Sequence, residues 1–211
     1  MYIPRHFEQD DIATLHALMR NHPLCTLVTL SADGLNANHI PLHLSSEPGS
    51  YGILRGHVAR VNPVWSNVKA DTEVLAVFQG PQAYITPSWY PTKAESGKAV
   101  PTWNYTAVHA YGTLRCVEDQ EWLRNHLDAL TNAQEAVFSA PWKVSDAPDD
   151  YISKMLNAIV GIEITITRLQ GKWKTSQNQP EGNRAGVERG LRMVGTTEAG
   201  LMADLVQGRN G

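Results

Sequence analysis

The sequence predicts a mainly β fold with flanking helices (α+β), and three observations carry that prediction. Short β-branched and apolar runs recur at close spacing, parted by Asp33-Gly34 and Pro48-Gly49, both strong turn signals. Residues 159–166 alternate in the period of a strand, with Val160, Ile162, Ile164 and Ile166 in register. Apolar residues at helical spacing appear in only a few stretches, chiefly 10–20 and 119–138. A meander of short strands of this kind suggests an antiparallel sheet or barrel.

In chain order, residues 10–20 read as a helix with Ile12, Leu15, Leu18 and Met19 on one face, stopped by Asn21-His22-Pro23. Strands are expected at 24–30, 35–44 and 51–57, the second weakened by Pro41, which argues for an edge or a local break. Asn62 and Pro63 are a helix start signal, and a helix is expected from 62 to about 70, with Val64, Trp65 and Val68 on one face. A strand follows at 73–79, then a turn at Gly80-Pro81 and a short run at 83–86. Residues 87–101 read as a long loop rich in Pro and aromatics, and compact domains carry such loops for a functional reason or as disorder. A long strand to about 117, a helix at 119–138, a polar link, a short helix at 149–157 and the strand at 159–166 complete the main body. Gly171 is expected to turn the chain, and the last thirty residues show two helical patterns broken by Gly186, Gly190 and Gly195. The expected organisation is one domain over 1–180, with 181–211 as its helical extension.

Composition removes several function classes. The net charge is −3 and no Lys/Arg-rich block is present, so the chain lacks the electrostatic footprint of a nucleic-acid binder. Two cysteines, Cys25 and Cys116, fit neither a metal spacing nor a disulfide framework. No apolar run approaches the ~18 residues of a membrane span and no signal core opens the chain, so a soluble, cytoplasmic protein is expected. No Gly-rich nucleotide fingerprint follows a strand, and Ser88 lacks the setting of a hydrolase nucleophile.

Several side chains remain as candidates. Arg60 stands just before the expected helix start, where a cation beside unsatisfied N–H groups is poorly placed unless an anion lies between them. A bound phosphate or carboxylate meets that need; a surface Arg60 and a packed His57 are the plainer reading. His39 and His43 share a strand face with His57 on the next strand, but no acid or cysteine joins them and no metal is expected. Ser88 to Tyr90, Thr102 to Tyr105 and the basic run Lys172 to Lys174 followed by Ser176-Gln177-Asn178 gather aromatic, amide and basic groups. Singly these read as core packing or solvated strand ends. Together they suit a mostly apolar pocket with a few convergent polar groups.

The runs Tyr2-Ile3-Pro4, His39-Ile40-Pro41-Leu42, Gly56-His57-Val58-Ala59-Arg60-Val61-Asn62-Pro63, Phe78-Gln79-Gly80-Pro81-Gln82-Ala83-Tyr84-Ile85-Thr86-Pro87-Ser88-Trp89-Tyr90, Val100-Pro101-Thr102-Trp103-Asn104-Tyr105 and Lys172-Trp173-Lys174-Thr175-Ser176-Gln177-Asn178 resemble the FMN-binding negative transcriptional regulators, the PaiB-like family. The resemblance runs in order from Tyr2 to about Arg184, with Thr86 and Thr175 as mild departures. It implies an FMN-binding split β-barrel and a homodimer holding FMN in a groove between subunits. Carried over, it implies His57, Arg60 and Asn62 at the phosphate, His39, Ile40 and Pro41 near the flavin, and Trp103, Asn104, Tyr105, Lys174 and Gln177 along the ring or ribityl side. It leaves two functions open: a flavin-binding regulator, whose charge argues against direct DNA contact, and an FMN-dependent oxidoreductase using NAD(P)H on a small molecule. A haem-binding relative is a third reading, which requires an axial ligand that no residue singles out.

Overall fold

The computed structural model describes residues 1–67 and 72–208. Its strands are β1 (Glu8–Gln9), β2 (Leu24–Ser31), β3 (Gly34–Pro41), β4 (His43–Ser45), β5 (Ile53–Ala59), β6 (Glu73–Ile85), β7 (Thr102–Val117) and β8 (Ile159–Lys174). The helices are α1 (Ile12–Asn21), α2 (Val64–Asn67), α3 (Thr92–Ser96), α4 (Gln120–Glu135), α5 (Asp149–Asn157), α6 (Glu181–Val194) and α7 (Thr197–Gln207). The strands order as β3-β2-β6-β7-β8-β5-β4, with β1 pairing β8, and no pairing among the described residues closes the sheet. The mainly β, helix-flanked fold expected from the sequence is the fold found.

The chain forms two compact units, each built from several segments. Unit 1 takes Met1–Leu18, Gln79–His109 and Gln170–Gly211; unit 2 takes Met19–Phe78 and Ala110–Leu169. The residue ranges of β6, β7 and β8 run through both.

In unit 2, β2 and β3 pair antiparallel from Leu24↔Pro41 to Ser31↔Gly34. Gly34 closes their turn at φ +106°, a conformation open to glycine at little cost. On the other side β5 pairs β8, and Asp119 caps α4 by accepting from the Trp122 N–H at 2.7 Å. Leu123 of α4, Val144, and Ile152 and Leu156 of α5 form a small apolar cluster. Burying each such side chain is worth ~1.5–3 kcal/mol.

In unit 1, β1 pairs the end of β8, Glu8↔Lys172 and Gln9↔Gly171. The α6–α7 hairpin buries Val187, Leu191, Met202, Ala203 and Val206 against Ile85 and Tyr90. Trp89 lies against Gly186 and Gly190, where any Cβ would strike its backbone or ring. These two glycines therefore sit inside α6 as a groove for an indole, not as breaks; Gly195 alone ends the helix, at φ +74°.

Other expectations shift. Pro41 does break its run: β3 ends there and β4 starts at His43, so His39 and His43 lie on separate strands. Gly80-Pro81 does not turn, and β6 passes straight through. A Cβ at Gly80 would meet the Thr106 hydroxyl and Leu18, so the glycine serves close packing. Gly171 is likewise inside β8, where a Cβ would strike Leu15 and come to 2.5 Å from the Gln9 carbonyl. The expected loop at 87–101 contains a 3₁₀ turn, Pro87–Trp89, and α3. The expected helix after Asn62 starts at Val64; its remainder from Val68 lies outside the described residues.

Candidate functional site

A pocket of about 280 Å³ lies in unit 1. Strand alternation buries Asn104 and Thr106 while Trp103 and Tyr105 turn the other way. Beyond the end of β8 the chain bends at Ser176, the only non-glycine residue with positive φ among those described, at 63°. Asn178 and Gln179 then lead into α6, whose Asn183 accepts from the Thr92 hydroxyl at 3.1 Å and donates to Gln179 at 3.0 Å. Tyr90, Lys98, Val100, Pro101, Thr102, Asn104, Lys174 and Ser176 line the rest. Two of the lining residues are lysines and none is a carboxylate.

Asn104 is the pivot. It is only 1% exposed, and its Nδ2 donates to Ser176 Oγ at 2.9 Å. Its Oδ1 is buried with no partner. A buried, unmet acceptor costs ~1–3 kcal/mol and asks for an explanation in a ligand or a water. Lys174 donates to the Thr102 hydroxyl and, at 2.8 Å, to the Trp103 carbonyl. Burial, and then the neighbouring Lys172, push its pKa below the usual lysine value. A cation held beside an acceptor suits a ligand edge that mixes hydrogen-bond acceptors with a donor.

The other sequence candidates divide between the two units. In unit 1, Trp103 is half exposed, donates to Gln82 at 3.1 Å and meets Tyr84 edge-on with centroids 5.9 Å apart. Tyr105 lies under the Lys172 ammonium at 5.2 Å. Gln177 folds back on its own turn, accepting from Thr175 N at 2.7 Å and donating to the Trp173 carbonyl. Asn104 and Lys174 thus share the pocket wall, whereas Trp103, Tyr105 and Gln177 do not line it.

In unit 2, Ile40 is buried, Pro41 ends β3, and the His39 ring lies 3.2 Å from the Thr26 hydroxyl. Arg60 is bonded to Glu118 at 2.5 Å and donates to the carbonyls of Asn157 and Ile159 at 3.0 and 3.2 Å. The anion that its position requires is therefore present within the chain. Asn62 accepts from Val64 N at 2.9 Å and donates to Asn38 at 2.9 Å. His57 Nδ1 lies 3.1 Å from His126 Nε2, and burial depresses its pKa.

Sequence reasoning passes over Lys98 and His126 as site residues, and it reaches Tyr90 and Ser176 only as members of longer candidate runs. His126 carries one weak signal, its place on the apolar stripe of α4 beside Leu123 and Leu127. The backbone conformation of Ser176 carries none, since positive φ at a serine is written in tertiary contacts alone.

Comparison with known proteins places these observations. Residues 1–168 match the family described as "Putative FMN-binding domain". An uncharacterized protein of Emericella nidulans is 36% identical, over 99% of this chain and 97% of its own. Protease synthase and sporulation protein PAI 2 of Bacillus subtilis is 33% identical, over 98% and 97%. Among solved structures, a conserved hypothetical protein of Mycobacterium tuberculosis superposes with TM-score 0.60 at 14% identity, over 86% of this chain and 95% of that one. The flavocytochrome Anf3 of Azotobacter vinelandii does so with TM-score 0.57 at 13% identity, over 87% and 78%. Those two likenesses speak to the fold, which is of the split-barrel type. With its family matched over most of its length and PAI 2 among its relatives, the chain belongs to the FMN-binding domain family, and its cofactor is FMN.

Proposed function

We propose that the chain is a flavin-binding regulatory protein that receives FMN in the unit 1 pocket and works as a homodimer. The observation that carries this is the pairing of Asn104, buried with an unmet acceptor, with Lys174 in one pocket. The residues fit the group. Lys98 and Lys174 suit its ring carbonyls, the hydroxyls and amides of Thr102, Ser176, Asn178 and Gln179 suit a polar chain, and Tyr90, Val100 and Pro101 supply an apolar wall. When bound, FMN supplies the electron-carrying chemistry, and the protein supplies orientation and electrostatics. At ~280 Å³ the pocket lies just below the roughly 300–1,000 Å³ of enclosed small-molecule sites, which favours further walls from a second copy.

Regulation through direct DNA contact is not favoured, because the net charge is −3. One observation supports a second reading, an FMN-dependent oxidoreductase using NAD(P)H: Lys174 is a cation placed to stabilise negative charge on a reduced ring. No histidine lines the pocket among the described residues, so nothing there favours haem.

Titration with FMN is expected to quench flavin fluorescence to saturation; an unchanged signal at saturating FMN removes the cofactor reading. Adding NADPH to the loaded protein separates the two functions. Rapid bleaching of the flavin favours the oxidoreductase, and a flavin that stays oxidised favours the regulator.

A further inference from the structure

We infer that Asn104, positioned by Ser176, reads a hydrogen-bond donor of the ligand, and that in FMN this donor is the imide N3–H of the ring. The pocket therefore takes the pyrimidine edge of the flavin and not its phosphate. This rests on the FMN reading above.

The argument begins with what a buried amide needs. The Asn104 side chain offers donors at Nδ2 and an acceptor at Oδ1. Ser176 Oγ occupies the donor side at 2.9 Å, leaving Oδ1 buried and unpartnered in the pocket wall. A phosphate dianion brings acceptors only, and against Oδ1 it sets oxygen against oxygen. The ring imide brings a donor flanked by two carbonyls. Lys174 supplies a donor for a carbonyl on that edge, since only two of its three N–H groups are engaged by Thr102 and Trp103. The amides of Asn178 and Gln179 stand in the same lining.

Ser176 supplies a second, independent observation. Its backbone holds φ +63°, where glycine or asparagine is usual and another side chain costs roughly 1–2 kcal/mol. Glycine would relieve that cost but would remove the hydroxyl that fixes the Asn104 amide. The serine is 3% exposed, so its hydroxyl serves the interior and not solvent. Ser176 is a positioning residue, and Asn104 is the group that meets the ligand.

The test measures dissociation constants of the full chain for FMN, N3-methyl-FMN and riboflavin by fluorescence quenching. Wild type is expected to bind N3-methyl-FMN about tenfold or more weakly than FMN, the loss of one buried hydrogen bond. Asn104→Ala is expected to bind both alike. Ser176→Gly, which keeps the turn, is expected to shrink the methyl discrimination while leaving the ratio of FMN to riboflavin unchanged, a pattern that general loosening does not produce. Equal binding of FMN and N3-methyl-FMN by wild type overturns the inference while leaving the FMN reading intact, and it needs no folded variant. Discrimination that persists in Asn104→Ala also overturns it. So does a Lys174→Met variant that loses far more affinity for FMN than for riboflavin, because that outcome puts the phosphate in the pocket. Absence of binding by any flavin overturns the cofactor reading itself.

Discussion

A guanidinium at the edge of a new helix needs a counter-charge, and Arg60 meets that need with Glu118 and two carbonyls. The Asn157 carbonyl ends α5, so Arg60 also sits where a helix dipole favours a cation. Both partners of the ion pair keep solvent access, 38% and 59% of their side chains, so the pair itself is worth at most ~1 kcal/mol. The carbonyl bonds add a similar amount. Arg60→Ala is therefore expected to lower stability by about 1–2 kcal/mol in urea denaturation and to change FMN and riboflavin affinity equally. A loss confined to FMN would move the phosphate to Arg60. The thiols have a quieter role: burial pushes Cys25 up to about 12, so it is expected to resist alkylation until the protein unfolds.

At the scale of elements, α4 seats on the sheet of unit 2 through a ring stack. Trp122 stacks on His126 with centroids 5.4 Å apart, His126 meets His57 of β5, and the Trp122 ring lies where Gly161 of β8 lacks a Cβ. Beside the stack, Arg55 stands 6.0 Å from the Trp122 ring centroid and bonds Glu163 at 2.8 Å. Arg115 bonds the other oxygen of Glu163. Burial pushes the Glu163 carboxyl up, but the hydrogen bonds from Arg55 and Arg115 outweigh it and keep the group ionised. His126 faces His57, His43 and Arg55; burial first, then those neighbours, lower its pKa from 6.5 to about 4. Between those values the unfolded chain binds a proton that the native chain does not. Stability is therefore complete above pH 6.5 and falls as the pH drops toward 4, by about 3 kcal/mol in full. Urea midpoints taken from pH 7 to 4.5 are expected to show this slope, and His126→Phe is expected to flatten most of it. An equal slope in the variant would assign the acid sensitivity to other groups.

At the scale of the molecule, a homodimer is the expected assembly, and light scattering at micromolar concentration checks it; a monomer mass would leave the pocket to enclose FMN alone. The local grammar of the fold is legible in the sequence. The Asp33-Gly34 turn, the break at Pro41 and the amphipathic α4 all follow from nearest neighbours in the chain. What is not legible is long-range. Gly80 and Gly171 look like turns because the side chains that need their missing Cβ, Thr106, Leu18 and Leu15, approach from elsewhere in unit 1. Lys174 and Asn104 are recognisable as site residues, yet the hydrogen bond that makes Asn104 a pivot joins residues 72 apart. No window of sequence contains that pair.

The division of unit 1 among three stretches of chain sets a birth order for its function. One wall of the pocket comes from Tyr90 to Asn104 and the other from Lys174 to Asn183, with the unit 2 segment Ala110–Leu169 made in between. During synthesis the first wall leaves the ribosome with Asn104 unmatched, and only the arrival of Ser176 gives its amide a partner. The proposed flavin pocket is therefore completed late, near the end of translation, and a chain arrested before Lys174 carries most of the fold's strands but lacks that pocket's second wall.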